Sequence, residues 1–158
     1  CFKKSFERKP IQNIKKFKFE LKMFFKKKEL KKINFLTKVC ALLIHAAKID
    51  ENYTDKEEEI IERTLNELGL ENEDISKTIE EAKKIEENSN QILDFTKEVK
   101  NLPETDKVKI VEALWSIIYS NKDADIYETN LMRRLAGLLY IDNKTMGDIK
   151  EKIKQNSK

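Results

Sequence analysis

A motif occurs twice in this chain, 71 residues apart, and it dictates most of what the fold can be. The first copy runs from Ala46 to Glu57 and the second from Ile117 to Glu128. Asp50 answers to Asn121, Thr54 to Asp125, and Glu57 to Glu128. Apolar positions on both sides hold the same offset: Leu42 with Ala113, Leu43 with Leu114, Ile60 with Leu131, Leu68 with Leu139, and Leu70 with Ile141. An apolar run, an acidic stretch and a second apolar run have therefore been used twice. Each copy reads as helix, acidic loop, helix.

The rest of the chain supports helices. There are only three glycines and two prolines in 158 residues. Apolar residues recur at spacings of three and four, the signature of amphipathic α-helices. The expected fold is all-α: a compact bundle of about seven helices in two pseudo-symmetric halves, with one further helix at the N-terminus. Charged side chains make up 39% of the sequence, yet Leu, Ile and Phe are plentiful enough to build a core. No apolar run approaches the roughly 20 residues needed to span a bilayer, and no secretory signal is visible. A cytoplasmic protein is expected, peripheral on the inner membrane if its N-terminal segment binds lipid.

The net charge of +3 conceals two opposite parts. Residues 1–34 carry 13 basic and 3 acidic side chains, and residues 35–158 carry 19 and 26. Three segments follow: a basic arm over 1–33, a helical domain over 34–154, and a frayed tail over 155–158. In the arm a helix is expected over 14–28. Ile14, Phe17, Leu21, Phe24 and Phe25 fall within about 100° of arc at 3.6 residues per turn. Lys15, Lys16, Lys22, Lys26 and Lys27 lie on the other sides. A basic amphipathic helix with phenylalanine on its apolar face suits an anionic membrane surface. Phe17, Leu21, Phe24 and Phe25, with Lys15, Lys22 and Lys26, are the candidate contacts. The same stripe would also serve to pack on the helical body. Nucleic acid is the poorer partner, because the acidic body repels phosphate.

Helices are expected over 34–49, 55–68, 73–87, 90–101, 104–120 and 126–139, with a last one from about 143 to Gln155. Gly69 marks a C-terminal stop, Asn72 a cap for the third body helix, Ser89 or Asn90 a start for the fourth, Pro103 a break near the first turn of the next, and Asp142 or Asn143 a cap for the last.

The acidic loops admit two readings. Thr54-x-x-Glu57 has the spacing of a capping box, and Asp125-x-x-Glu128 is its acidic counterpart. Capping leaves Asp50, Glu51, Asp55 and Asp123 unexplained, and such crowded negative charge favours a cation. Carboxylates, amides and carbonyls are ligands for a hard divalent ion, Ca²⁺ or Mg²⁺. The EF-hand template does not fit. Ile126 and Asp55 stand where glycine is required, and Met132 and Ile61 where the bidentate glutamate belongs.

The pattern Ala-x-x-Asp-x-x-hydrophobic-x-x-x-Glu, twice, around a tryptophan-bearing second helix, resembles the TerB-like tellurite-resistance family. Leu114-Trp115-Ser116-Ile117-Ile118-Tyr119 and Ile126-Tyr127-Glu128-Thr129-Asn130-Leu131-Met132-Arg133-Arg134-Leu135-Ala136 carry it best, and it covers about 34–154. It implies a bundle of about seven helices in two halves, with acidic loop residues proposed to hold metal: Asp50 and Glu57, then Asp125 and Glu128. The family's usual Asp-Gly is replaced by Asp50-Glu51 and by Asn121-Lys122, and Lys122 brings its own positive charge. Related domains in DnaJ-like co-chaperones suggest the alternative, a metal-free adaptor for a protein partner.

No enzyme is expected. There is no phosphate loop, dinucleotide fingerprint or zinc pattern. His45 is the only histidine, and Cys40, five residues earlier, points to another helix face. Cys40 and Trp115 read as core. Cys1 stands in place of an initiating methionine, which suggests that upstream residues were lost by truncation or lipoprotein processing.

Overall fold

Residues 11–49, 53–89, 93–97, 99–120 and 125–157 are described in the computed structural model of the chain. Among them are seven α-helices, one 3-10 turn and no strand. They are α1 (Ile11–Lys48), α2 (Asp55–Glu67), α3 (Asn72–Asn88), α4 (Leu93–Thr96), α5 (Glu104–Ile118), α6 (Ile126–Leu138) and α7 (Asn143–Asn156), with the 3-10 turn Val99–Asn101 after α4. The all-α expectation holds.

The chain divides into two compact units, Cys1–Asn34 and Phe35–Lys158. In the first, Ile14, Phe17, Leu21, Phe24 and Phe25 are all exposed, between 44% and 64% of their surface. The rings of Phe24 and Phe25 meet edge to face, with centroids 6.1 Å apart. The separate helices expected over 14–28 and 34–49 are one element, α1. The intervening Glu29-Leu30-Lys31-Lys32-Ile33 has neither glycine nor proline, and these residues favour helix. A change of charge character does not end a helix.

The second unit is built around two helical stretches that the repeat equates. From Leu36 to Ala47 all residues but Lys38 and His45 are buried. A helix apolar on every side belongs in the middle of a fold. Its counterpart α5 buries Ile110, Val111, Ala113, Leu114, Trp115, Ile117 and Ile118. Helix α5 packs on α2 and α7, α2 on α3, and α6 on α4 and α7. Trp115 is core, stacked on Tyr119 with centroids 5.8 Å apart.

The repeat extends to the helix ends. After α2, Gly69 N–H donates to Asn66 O at 2.9 Å and Leu70 N–H to Leu65 O at 3.0 Å. This is the double bond of a Schellman stop. After α6, Tyr140 N–H donates to Gly137 O at 3.3 Å and Ile141 N–H to Ala136 O at 2.9 Å. Gly69 has φ 98° and Tyr140, its counterpart, φ 55°. Glycine enters the left-handed region freely and tyrosine does so at a cost.

Two local expectations fail. Asn72 is inside α3, whose cap is Glu71 and makes no side-chain cap bond. Asn72 Oδ1 instead accepts from Asn66 Nδ2 at 3.2 Å. Of the helix expected over 90–101, the described residues show α4, a turn at Lys97 and the 3-10 turn, not one helix running through to Asn101. Pro103 disfavours helical backbone at Leu102, and Phe95 and Val99 offer only a short buried face. Ser89 ends α3 and donates to Asp94 Oδ2 at 2.8 Å, while Asn90 lies outside the described residues. Pro103 lies near the first turn of α5, as expected, as its cap residue. Asp142 caps α7, accepting from Thr145 N–H at 2.7 Å.

Candidate functional site

The acidic-loop residues are placed by the starts of α2 and α6. Thr54 has extended backbone and begins α2. Its Oγ1 accepts from Glu57 N–H at 3.3 Å, and Glu57 Oε2 accepts from Thr54 N–H at 2.8 Å. At the start of α6, Asp125 Oδ1 accepts from Glu128 N–H at 2.8 Å, and Glu128 Oε1 accepts from Asp125 N–H at 3.2 Å. Both helices therefore open with a reciprocal capping box. Thr129 Oγ1 adds a bond to Asp125 O at 2.8 Å.

These boxes differ from the usual surface kind. Glu57 is 1% exposed and Glu128 3%. A buried carboxylate is costly unless hydrogen-bonded, and the backbone N–H it receives is one the helix start leaves without a partner. The positive end of the helix dipole adds further stabilisation. Of the four residues proposed to hold metal, Glu57, Asp125 and Glu128 are thus engaged in capping. Asp50 lies outside the described residues, as do Glu51, Asn52 and the stretch 121–124. Asp55 is exposed on the first turn of α2. Among the described residues no group of three or more His, Cys, Asp or Glu side chains is arranged to hold a metal ion.

A lysine links the two loop regions. Lys56 Nζ donates to Ser120 O at 3.1 Å, just past the end of α5. Carbonyls at a helix C-terminus attract cations, so Lys56 supplies positive charge where the second loop begins. Nothing in the sequence marks Lys56 for this role, since the 71-residue offset pairs it with Tyr127.

Behind the first loop lies a mixed cluster. Lys83 Nζ is 3.8 Å from Glu58 Oε1 and 5.1 Å from the centre of the Tyr53 ring. Tyr53 Oη is buried and has no hydrogen-bond partner among the described residues. Burial first, and then the charge of Glu58, push the Tyr53 phenol well above its ordinary value. Cys40 lies fully buried beside this cluster. Burial pushes its thiol up to about 12, with Lys83 pulling the other way and Glu58 adding to the rise. Such a thiol stays protonated and is a poor nucleophile.

His45 bonds to α3 three residues beyond Lys83. Its Nδ1 is 3.3 Å from Glu86 Oε1 on α3, and Lys48 Nζ donates to Glu86 Oε2 at 2.8 Å. His45 is thus bonded to an α3 carboxylate. In sequence, Glu86 is one of several glutamates on a charged helix, and only the packing singles it out. The candidate membrane residues Lys15, Lys22 and Lys26 are exposed in the first unit, as are Phe17, Leu21, Phe24 and Phe25. No helix among the described residues is long and apolar enough to cross a membrane.

Comparison with curated proteins and with solved structures finds no match. The family model described as tellurite resistance protein TerB matches residues 36–151, a span that takes in both capping boxes, both central helices and both Schellman stops. The chain belongs to the TerB family.

Proposed function

We propose that this TerB-family chain is a non-catalytic, tellurite-resistance-type adaptor that docks on an anionic membrane surface through residues 14–28. Its acidic loops act as buried helix caps, without a divalent cation. The exposed apolar stripe of the first unit carries the membrane reading. Ile14, Phe17, Leu21, Phe24 and Phe25 stand open between lysines, and lysine stems can lie along the lipid while their ammonium groups meet headgroups. Each lysine near an anionic leaflet adds about 1 kcal/mol. The capping reading rests on the bonds that Glu57 and Glu128 already make and on their burial.

Vesicle sedimentation of the full chain tests the membrane reading. Vesicles containing phosphatidylglycerol should retain the protein at low salt and lose it as salt rises. Phosphatidylcholine vesicles should not retain it. Phe17→Ser with Phe24→Ser should release it with its helix content intact. Equal retention of wild type and this double variant would remove the membrane role.

A further inference from the structure

The first unit carries a second apolar line, on the side opposite the one assigned to lipid. At about 100° per residue, Phe19, Met23 and Leu30 fall within about 40° of each other and roughly opposite the Ile14–Phe25 stripe. All three are exposed. With Lys26 and the half-buried Ile33 they form the series 19, 23, 26, 30, 33. Its alternating steps of four and three are the spacing of a coiled-coil seam.

A helix lying on a membrane buries one face, to a depth of about 5–10 Å. Phe19, Met23 and Leu30 on the opposite face then remain exposed. The charge of that face selects the cover. Lys26 occupies a seam position itself, as does Lys16 one step before Phe19; Lys15, Lys22 and Glu29 flank the seam on one side and Glu20 and Lys27 on the other, so the face is positive overall. A single charged seam residue sets register and partner choice by demanding its complement. A second copy of this chain would bring lysine against lysine across the seam, which is repulsive.

We infer that the Phe19–Ile33 seam docks an acidic amphipathic helix of a partner protein, with a carboxylate set against Lys26. The proposal uses the face opposite the lipid stripe and does not depend on the membrane reading, so each can fail alone.

The probe is a fluorescein-labelled three-heptad peptide with leucine at its seam, glutamate on its flanks and one seam glutamate placed to meet Lys26. Its binding to the full chain is followed by anisotropy. Wild type should bind it. Phe19→Ser with Met23→Ser should weaken binding about ten-fold or more, as loss of central seam anchors does. Phe17→Ser with Phe24→Ser removes the same kind of side chain from the other face and should change binding less than about two-fold. Lys26→Glu should weaken it, and a peptide with lysine at its seam glutamate should rescue that variant. Equal loss in the two double variants would overturn the proposal, because binding would then not be specific to the seam face; no loss in either would overturn it too, because charge alone would then explain binding. So would a wild-type dimer that the Phe19/Met23 pair dissolves, which puts a second copy on the seam. Loss of vesicle binding by that pair as great as by the Phe17/Phe24 pair would also overturn it, because lipid would then cover both faces.

Discussion

Glu57 offers the sharpest test of what the acidic loops do. Its carboxylate is 1% exposed and accepts from Thr54 N–H at 2.8 Å. Alanine removes the acceptor, strands that N–H and leaves a gap. A hydrogen bond to a charged group contributes about 1.5–3 kcal/mol, so Glu57→Ala should cost about that much. For a domain of this size each kcal/mol moves the midpoint by about 2–4 °C, so the drop should be roughly 3–12 °C. Glutamine keeps a carbonyl that accepts from the same N–H and sheds the cost of burying charge. Glu57→Gln should therefore lose no more than about 1 kcal/mol. Thermal unfolding of the full chain by circular dichroism, with and without millimolar Ca²⁺ or Mg²⁺, reads both effects. The capping argument predicts a wide gap between Ala and Gln and midpoints that ignore the cation. If Gln is as damaging as Ala, or if a cation raises the wild-type midpoint and Glu57→Gln abolishes the rise, the carboxylate is a ligand and the reasoning fails.

Tyr140 holds φ 55° where its counterpart is Gly69. Tyr140→Gly should stabilise by roughly 0.5–1 kcal/mol, after allowing for the exposed contact of Lys100 with the ring, while Gly69→Ala should cost about 1–2 kcal/mol; urea midpoints that move the other way would refute this. Tyr53→Phe removes a buried hydroxyl with no partner among the described residues, so its unfolding midpoint should stay level or rise, and a clear fall would reveal a bond to that hydroxyl. Cys40 has its folded pKa raised to about 12, so its contribution is complete below the unfolded thiol value near about 8.5 and is lost as pH climbs towards 12. Stability of the wild type should accordingly fall more steeply over that alkaline window than that of Cys40→Ala, and parallel profiles would contradict the burial argument.

Much of the second unit could be read from spacing alone. The repeated Thr54-x-x-Glu57 and Asp125-x-x-Glu128 spacing located both helix starts, and Gly69 marked the first C-terminal stop; the second, at Tyr140, carries no glycine to mark it. Such marks work because caps and stops are local devices, written within a few residues of the helix end they serve. Long-range facts were hidden. Glutamate is ordinarily a surface residue, and nothing in Thr54-x-x-Glu57 says that its glutamate will be sealed from water. Lys56 meets Ser120 across 64 positions, and His45 meets Glu86 across 41, distances over which pattern carries no information. The continuity of α1 was missed for a different reason: composition changes near residue 34, but hydrogen bonding along a helix responds to glycine, proline and caps. The second apolar line over 19–33 is harder to see in sequence, because the stripe of Ile14, Phe17, Leu21, Phe24 and Phe25 already gives the arm one amphipathic face.

The packing of α2 on α5 has a consequence for how the two copies depend on each other. Helix α2 belongs to the first copy of the repeat and α5 to the second, so each copy completes its interior with a piece of the other. A single copy would leave that surface open to water. Two identical single copies could bury the same surfaces only by pairing as a homodimer. Joining them end to end replaces a concentration-dependent encounter with a tethered one. Within one chain the two copies need not match, and they do not: threonine caps one and aspartate the other, and Lys56 in the first corresponds to Tyr127 in the second.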